Sequence, residues 1–160
     1  MRNVQDIYPL SPLQEGMLFH ILLETGSGAY VVHLNFIIEG HFDSSAFKRA
    51  WQKLLERHTV LRTSFVWQKV PKPLQVVRQQ VTLTWDERGW SGFSEQEQES
   101  RLQEYLREEH RRGFDPAQAP LMRIGLMRLS AGRIQFIWNY SHLLLDGWSA
   151  NIILGELSAY

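Results

Sequence analysis

His142, Asp146 and Gly147 stand together in YSHLLLDGWS (Tyr140–Ser149), directly behind an apolar, strand-like run. Three chemistries suit those residue types. Ser141 and His142 could act as a nucleophile and its base. Adjacent residues of an extended segment point to opposite faces, however, so a serine is badly placed to hand its proton to the next imidazole. His142 and Asp146 could share a metal ion, since four-residue spacing puts two ligands on one helical face. Asp-Gly is a turn signal rather than helix interior, and no third ligand stands nearby. The third arrangement is a lone imidazole at a strand end. Such a ring accepts a proton or steers an amine near neutral pH. Asp146 would hold the loop through an ion pair, the leucines would bury it, and Gly147 would let a ligand approach the backbone. From the residues alone, a purely structural histidine remains equally open.

The surrounding elements must hold this loop. Ser11-Pro12-Leu13-Gln14 predicts a helix start with a capping box and proline in the first turn. Leu13, Met17, Leu18, Ile21 and Leu22 recur at helical spacing, and the helix is expected to stop near Gly26. Tyr30 to Ile38 alternates as a strand, with Tyr30, Val32, Leu34, Phe36 and Ile38 on one face. Asp43 caps a second helix with a stripe of Phe47, Ala50, Trp51, Leu54 and Leu55. Glu56 to Trp67 leads into a β-rich run, and Leu74–Arg78 and Val81–Trp85 read as short strands. Ser94 with Glu97 opens a polar, solvated helix that ends at His110-Arg111-Arg112-Gly113. Leu121–Leu129 and Arg133–Tyr140 form a hairpin around Ser130-Ala131-Gly132. A last helix from Trp148 carries Ile152, Ile153, Leu157 and Tyr160. The mixture predicts an α+β fold, a mixed sheet covered by helices. Trp67, Trp85 and Trp90 are expected to serve packing, and His58 to be structural.

Composition narrows the function. The 160 residues suffice for one domain with a core, 44% are hydrophobic and 12% aromatic, and Lys plus Arg balance Asp plus Glu at 17 each. A neutral chain gives no electrostatic reason to propose nucleic acid or an anionic membrane as partner. Cysteine is absent, which excludes disulfides and thiolate chemistry and fits a reducing compartment. No stretch has the length of a transmembrane helix and MRNVQDIYPLSP lacks the apolar run of a signal peptide, so a cytoplasmic location is expected. The chain closes in mid-helix, which suggests a fragment.

Three blocks, YPLSPLQEGMLFH (Tyr8–His20), RHTVLRTSF (Arg57–Phe65) and SHLLLDGWS (Ser141–Ser149), occur in that order. Together they resemble the first three core motifs of the condensation domains of nonribosomal peptide synthetases, the third resembling the family's His-His-x-x-x-Asp-Gly signature. The resemblance implies a chloramphenicol-acetyltransferase-like half-domain: residues 1–160 as the N-terminal half, with a C-terminal half completing a channel. It implies acyltransferase-type peptide-bond formation between a donor acyl or peptidyl thioester and an acceptor aminoacyl thioester. Both would be carried on the 4'-phosphopantetheine of carrier domains, with no cofactor bound directly and no metal. The implied partners are donor and acceptor carrier domains, an adenylation domain of the same assembly line and the C-terminal half. Without that half the open apolar face is expected to favour self-association. By position, His142 matches the catalytic histidine, Asp146 the aspartate held by an arginine with Arg62 its natural partner, and Gly147 the signature glycine beside the donor channel. Ser141 departs from the family, which usually has a histidine of structural role there. Two alternatives stay beside this reading: a non-catalytic relative that docks carrier proteins, and an acyltransferase using coenzyme A, whose wider group shares His-x-x-x-Asp-Gly. The first two blocks favour the synthetase family over the latter.

Overall fold

The computed structural model describes residues 3–24, 26–130 and 132–159. Local signals start the helices where capping chemistry demands. In α1 (Pro12–Leu23) the Ser11 side chain accepts from the Gln14 backbone N–H, and the Gln14 side chain returns to the Ser11 N–H. Asp43 accepts from the N–H groups of Ser45 and Ala46 to open α2 (Ser44–Arg57). Ser94 and Glu97 form the capping box of α3 (Glu95–Arg112), which ends at Gly113. The final helix, α4 (Gly147–Leu157), is capped by Asp146. Tyr160, expected at its end, and Ala131, expected in the hairpin turn, lie outside the described residues.

The strands form two sheets where one was expected. A three-stranded sheet has the order β1-β4-β3, built from β1 (Val4–Pro9), β3 (Thr63–Val66) and β4 (Leu74–Arg78), all antiparallel. A four-stranded sheet has the order β2-β7-β6-β5, from β2 (Val31–Glu39), β5 (Thr84–Gly89), β6 (Met122–Ser130) and β7 (Arg133–Ser141). Its β2/β7 and β6/β7 pairs are antiparallel, and β5/β6 is parallel. β1 has no counterpart in the sequence reading, because it is exposed at all but its first residue and carries no apolar alternation. The strand expected over Val81–Trp85 begins instead at Thr84, where pairing with Arg123 starts, and Leu83 packs into the core. Tyr30 stands outside β2, at a φ of 61°.

β7 is covered on both faces. Phe136 and Trp138 face α2, where Trp51 meets Trp138 edge-on at 5.0 Å. Ile137 faces the other way, against Met127, Leu129, Trp90 and the α3 residues Leu102 and Tyr105. Helix α3 is therefore not solvated all round; Leu102, Tyr105 and Glu109 dock it on the sheet. Burial on both faces explains why β7 lacks a clean in-out alternation. Among the described residues, no helix is long and apolar enough to cross a membrane.

Candidate active site

β7 delivers the histidine loop. It pairs with β2 as far as Val31 opposite Ser141, and the His142 N–H then donates to the Tyr30 carbonyl at 2.7 Å, one step beyond the ladder. Ser141 is 3% exposed and its hydroxyl accepts from the Leu143 N–H at 3.3 Å, whereas His142 is exposed. The two residues thus occupy opposite environments, as strand alternation requires, and a proton relay between them has no geometric support. Leu143, Leu144 and Leu145 are buried and anchor the loop to the core. No described residue forms a hydrogen bond to the His142 ring, which leaves its nitrogens free to meet a ligand.

Asp146 ends the loop by starting α4. Its carboxylate accepts from the Ser149 N–H at 2.7 Å, and its carbonyl accepts from the Ala150 N–H at 3.0 Å. The Ser149 backbone N–H, then the Ser149 hydroxyl, hold the Asp146 carboxyl below its ordinary value, and His142 adds a smaller Coulombic pull in the same direction. Gly147 is the first residue of α4, and a Cβ there would meet nothing within 4 Å. The space beside it is open, so no close packing in this chain demands glycine.

Arg62 is not the partner of Asp146, and the expected ion pair is corrected. Its guanidinium is buried at the junction of α2 and the first sheet. Nε donates to the Leu55 carbonyl at 2.6 Å and Nη2 to that of Glu56 at 3.3 Å, both in the last turn of α2. Nη1 donates to Gln5 Oε1 at 2.8 Å and to the carbonyls of Arg78 and Gln79. Each of the three guanidinium nitrogens donates to oxygens of its own neighbourhood, and no ion pair joins Arg62 to Asp146 among the described residues. The physical need that spacing suggested, a cation for Asp146, is met by helix N–H groups at an exposed position.

Two residues that touch the loop escape a reading of the sequence. Tyr30 supplies the carbonyl for His142, and its hydroxyl lies 2.9 Å from His20 Nδ1 in α1. Gln14 Nε2 donates to the Leu143 carbonyl at 3.2 Å. Neither contact is visible in local spacing, which identifies Gln14 only as part of a helix cap. His58, expected to be structural, joins α2 to α4 through Glu156 at 2.7 Å, with Arg57 at 3.4 Å from the same oxygen. A cleft of 1270 Å³ lined by Gln52, Glu56, Arg62, Gln80 and Trp85 among others does not include His142. It follows the seam that Arg62 braces.

Comparison with known proteins agrees with this geometry. The Condensation domain family matches residues 4–160. A linear gramicidin synthase of Brevibacillus parabrevis is 47% identical over 159 residues, covering 99% of this chain and 3% of that protein. Tyrocidine synthase 2 of the same organism is 38% identical over 157 residues, 98% of this chain and 4% of that protein. Among solved structures, the starter condensation domain of rhizomide synthetase superposes with a TM-score of 0.84 at 18% identity, covering 96% of this chain and 38% of that one. A four-domain nonribosomal peptide synthetase bound to AMP and glycine gives 0.86 at 19% identity, covering 98% of this chain and 12% of that one. The chain therefore spans a small fraction of its relatives' length and shares the chloramphenicol-acetyltransferase-like fold of those domains. An exposed histidine closing a central strand, an aspartate capping the next helix and a family match along almost the whole chain lead to one assignment: this chain belongs to the condensation domain family.

Proposed function

We propose that this chain forms the N-terminal half of a condensation domain that joins a donor acyl or peptidyl thioester to an acceptor aminoacyl thioester. The observation that carries the proposal is the exposed His142 imidazole, at the end of β7, on a loop fixed by buried leucines within a chain that matches the Condensation domain family from residue 4 to 160. In the reaction the acceptor amine nitrogen attacks the donor carbonyl carbon. A tetrahedral intermediate forms, the carbon–sulfur bond breaks, and the donor carrier leaves as its thiol after taking up a proton. His142 positions the amine and stabilises the charged intermediate, with proton transfer as a second role. Asp146 and Gly147 shape the loop, Ser141 fills the buried position behind it, and Arg62 braces α2 against the first sheet.

The partners of this reading are the donor and acceptor carrier domains, whose 4'-phosphopantetheine arms bring both thioesters, an adenylation domain that supplies the amino acid, and a C-terminal half. A cytoplasmic location follows from the supply of such substrates. The test loads donor and acceptor carrier proteins and follows dipeptidyl product by mass spectrometry. The 160-residue chain should match the uncatalysed background, because one wall of a channel cannot hold two arms at high effective concentration. The chain with its natural continuation should exceed background, and His142→Ala there should lower kcat by about 10²-fold. Robust turnover by the 160-residue chain, lost in His142→Ala, would instead mark a self-sufficient acyltransferase.

A further inference from the structure

Gln14 is the third residue of α1, and its side-chain amide has two separable uses. Its oxygen accepts from the Ser11 N–H at 3.0 Å, completing the capping box, and from Gln75 Nε2 at 3.0 Å. Its nitrogen donates to the Leu143 carbonyl, 129 positions away in sequence, and to Gln75 Oε1, each at 3.2 Å. Leu143 follows His142 directly, and its carbonyl lies between the end of β7 and the start of α4, outside both backbone ladders. On the other side of the histidine, the His142 N–H is tied to the Tyr30 carbonyl at 2.7 Å. The backbone is thus held immediately before and immediately after the imidazole-bearing residue. The helix that supplies Gln14 is itself fixed, with Met17 and Leu18 in the core and His20 bonded to the Tyr30 hydroxyl.

We propose that Gln14 is a positioning residue for His142: its donated hydrogen bond to the Leu143 carbonyl sets the aim of the imidazole, a role distinct from its helix cap. The catalytic consequence rests on the condensation reading; the brace itself does not. Gln14→Glu separates the two uses. A carboxylate still accepts from Ser11 and Gln75, and a negative charge suits a helix N-terminus, so α1 stays capped. It donates nothing to Leu143 or to Gln75 Oε1 and sets an oxygen against the Leu143 carbonyl. Gln75→Ala, which leaves the Gln14 bond to Leu143 in place, is the control and should leave loop exchange unchanged.

Hydrogen exchange of the Ser141–Trp148 segment, read by mass spectrometry in the 160-residue chain, should quicken about tenfold in Gln14→Glu, the effect of one lost hydrogen bond. The Tm should hold, whereas Gln14→Ala, which loses cap and brace together, should also lower the Tm. The exchange difference between Gln14→Glu and the parent should shrink below about pH 4, where a protonated carboxyl regains a donor. In the chain with its natural continuation, kcat for dipeptide formation should fall about tenfold with KM for the loaded carriers nearly unchanged. Unchanged loop exchange in a folded Gln14→Glu protein overturns the brace. Faster exchange with unchanged kcat in an active parent overturns its part in catalysis. A parent without turnover counts against the condensation reading, and the exchange result still decides whether Gln14 holds the loop.

Discussion

Removing the Asp146 carboxylate takes away the acceptor that starts α4 and, with it, the end-stop of the histidine loop. Asp146→Ala should therefore lower the Tm by a few degrees and loosen the loop, while Asp146→Asn, whose amide oxygen still accepts from Ser149, should keep most of the stability. The charge adds a separate increment. The folded carboxyl sits below its ordinary value, so its stabilisation is complete above about pH 4 and disappears as pH falls from there through the lowered value. The Tm gap between parent and Asp146→Asn should be open at pH 7 and close on acidification, a result a thermal-melt series in pH reads directly. A gap that widens in acid would point to a different partner for Asp146. Arg62 has a different physical problem: it is buried, so its fork must be filled, and the nearest oxygens are main-chain carbonyls. The resemblance pairs the two charges by their motif positions, but burial decides which of them needs a partner.

At the scale of elements, the caps were legible because they are local. Ser11 with Gln14, Asp43, and Ser94 with Glu97 each satisfy helix N–H groups within a few residues, and all three act where the spacing puts them. The strands were less legible, because apolar content does not say which run finds a ladder. Leu83 gives its side chain to the core, while the polar Asp86-Glu87-Arg88 supplies the parallel rung beside β6. The underside of α3 was hidden for a related reason. Its buried charge, Glu109, looks like one more solvated residue until β6 brings Arg123 Nε to 2.6 Å and β7 brings Asn139 Nδ2 to 3.3 Å. Glu109 and Arg123 are both nearly buried, with side-chain exposures of 8% and 11%. Glu109→Ala should accordingly destabilise the protein by about 3–5 kcal/mol, because it strands the Arg123 cation. Replacing both residues by leucine should recover much of that loss. Denaturant unfolding measures both, and a loss within about 0.5 kcal/mol for the single change would show that the pair is solvated after all.

At the scale of the whole molecule, the four-stranded sheet gathers the separated blocks of sequence. β2 and β7 pair over their full length, and that pairing carries Tyr30 to His142 and brings α1 within reach of the loop. The mixture of predicted helices and strands was enough to expect an α+β fold, and the motifs were enough to put His142 forward as a candidate, since motif residues are read without knowing their neighbours. The division into two sheets and the contacts of Gln14 and Tyr30 were not legible, because they depend on which strands meet.

The sheet order β2-β7-β6-β5 has one more consequence. Among the described residues no strand pairs with the outer side of β2, a nine-residue strand that shows Phe36 at 40% and Ile37 at 42% exposure. A long edge of unspent N–H and C=O groups with apolar side chains is a template: another chain's strand can be added to it, and another to that. At high concentration the protein should grow by edge-to-edge accretion into species that bind thioflavin T. Ile37→Lys should slow that growth several-fold while leaving the Tm nearly unchanged, since a lysine on a strand's open border resists the next strand's arrival. Equal growth rates for the two proteins would place the origin of the aggregates elsewhere on the surface. Of the strands at the margins of the two sheets β2 is the longest, and it is the border to guard when the chain is handled in solution.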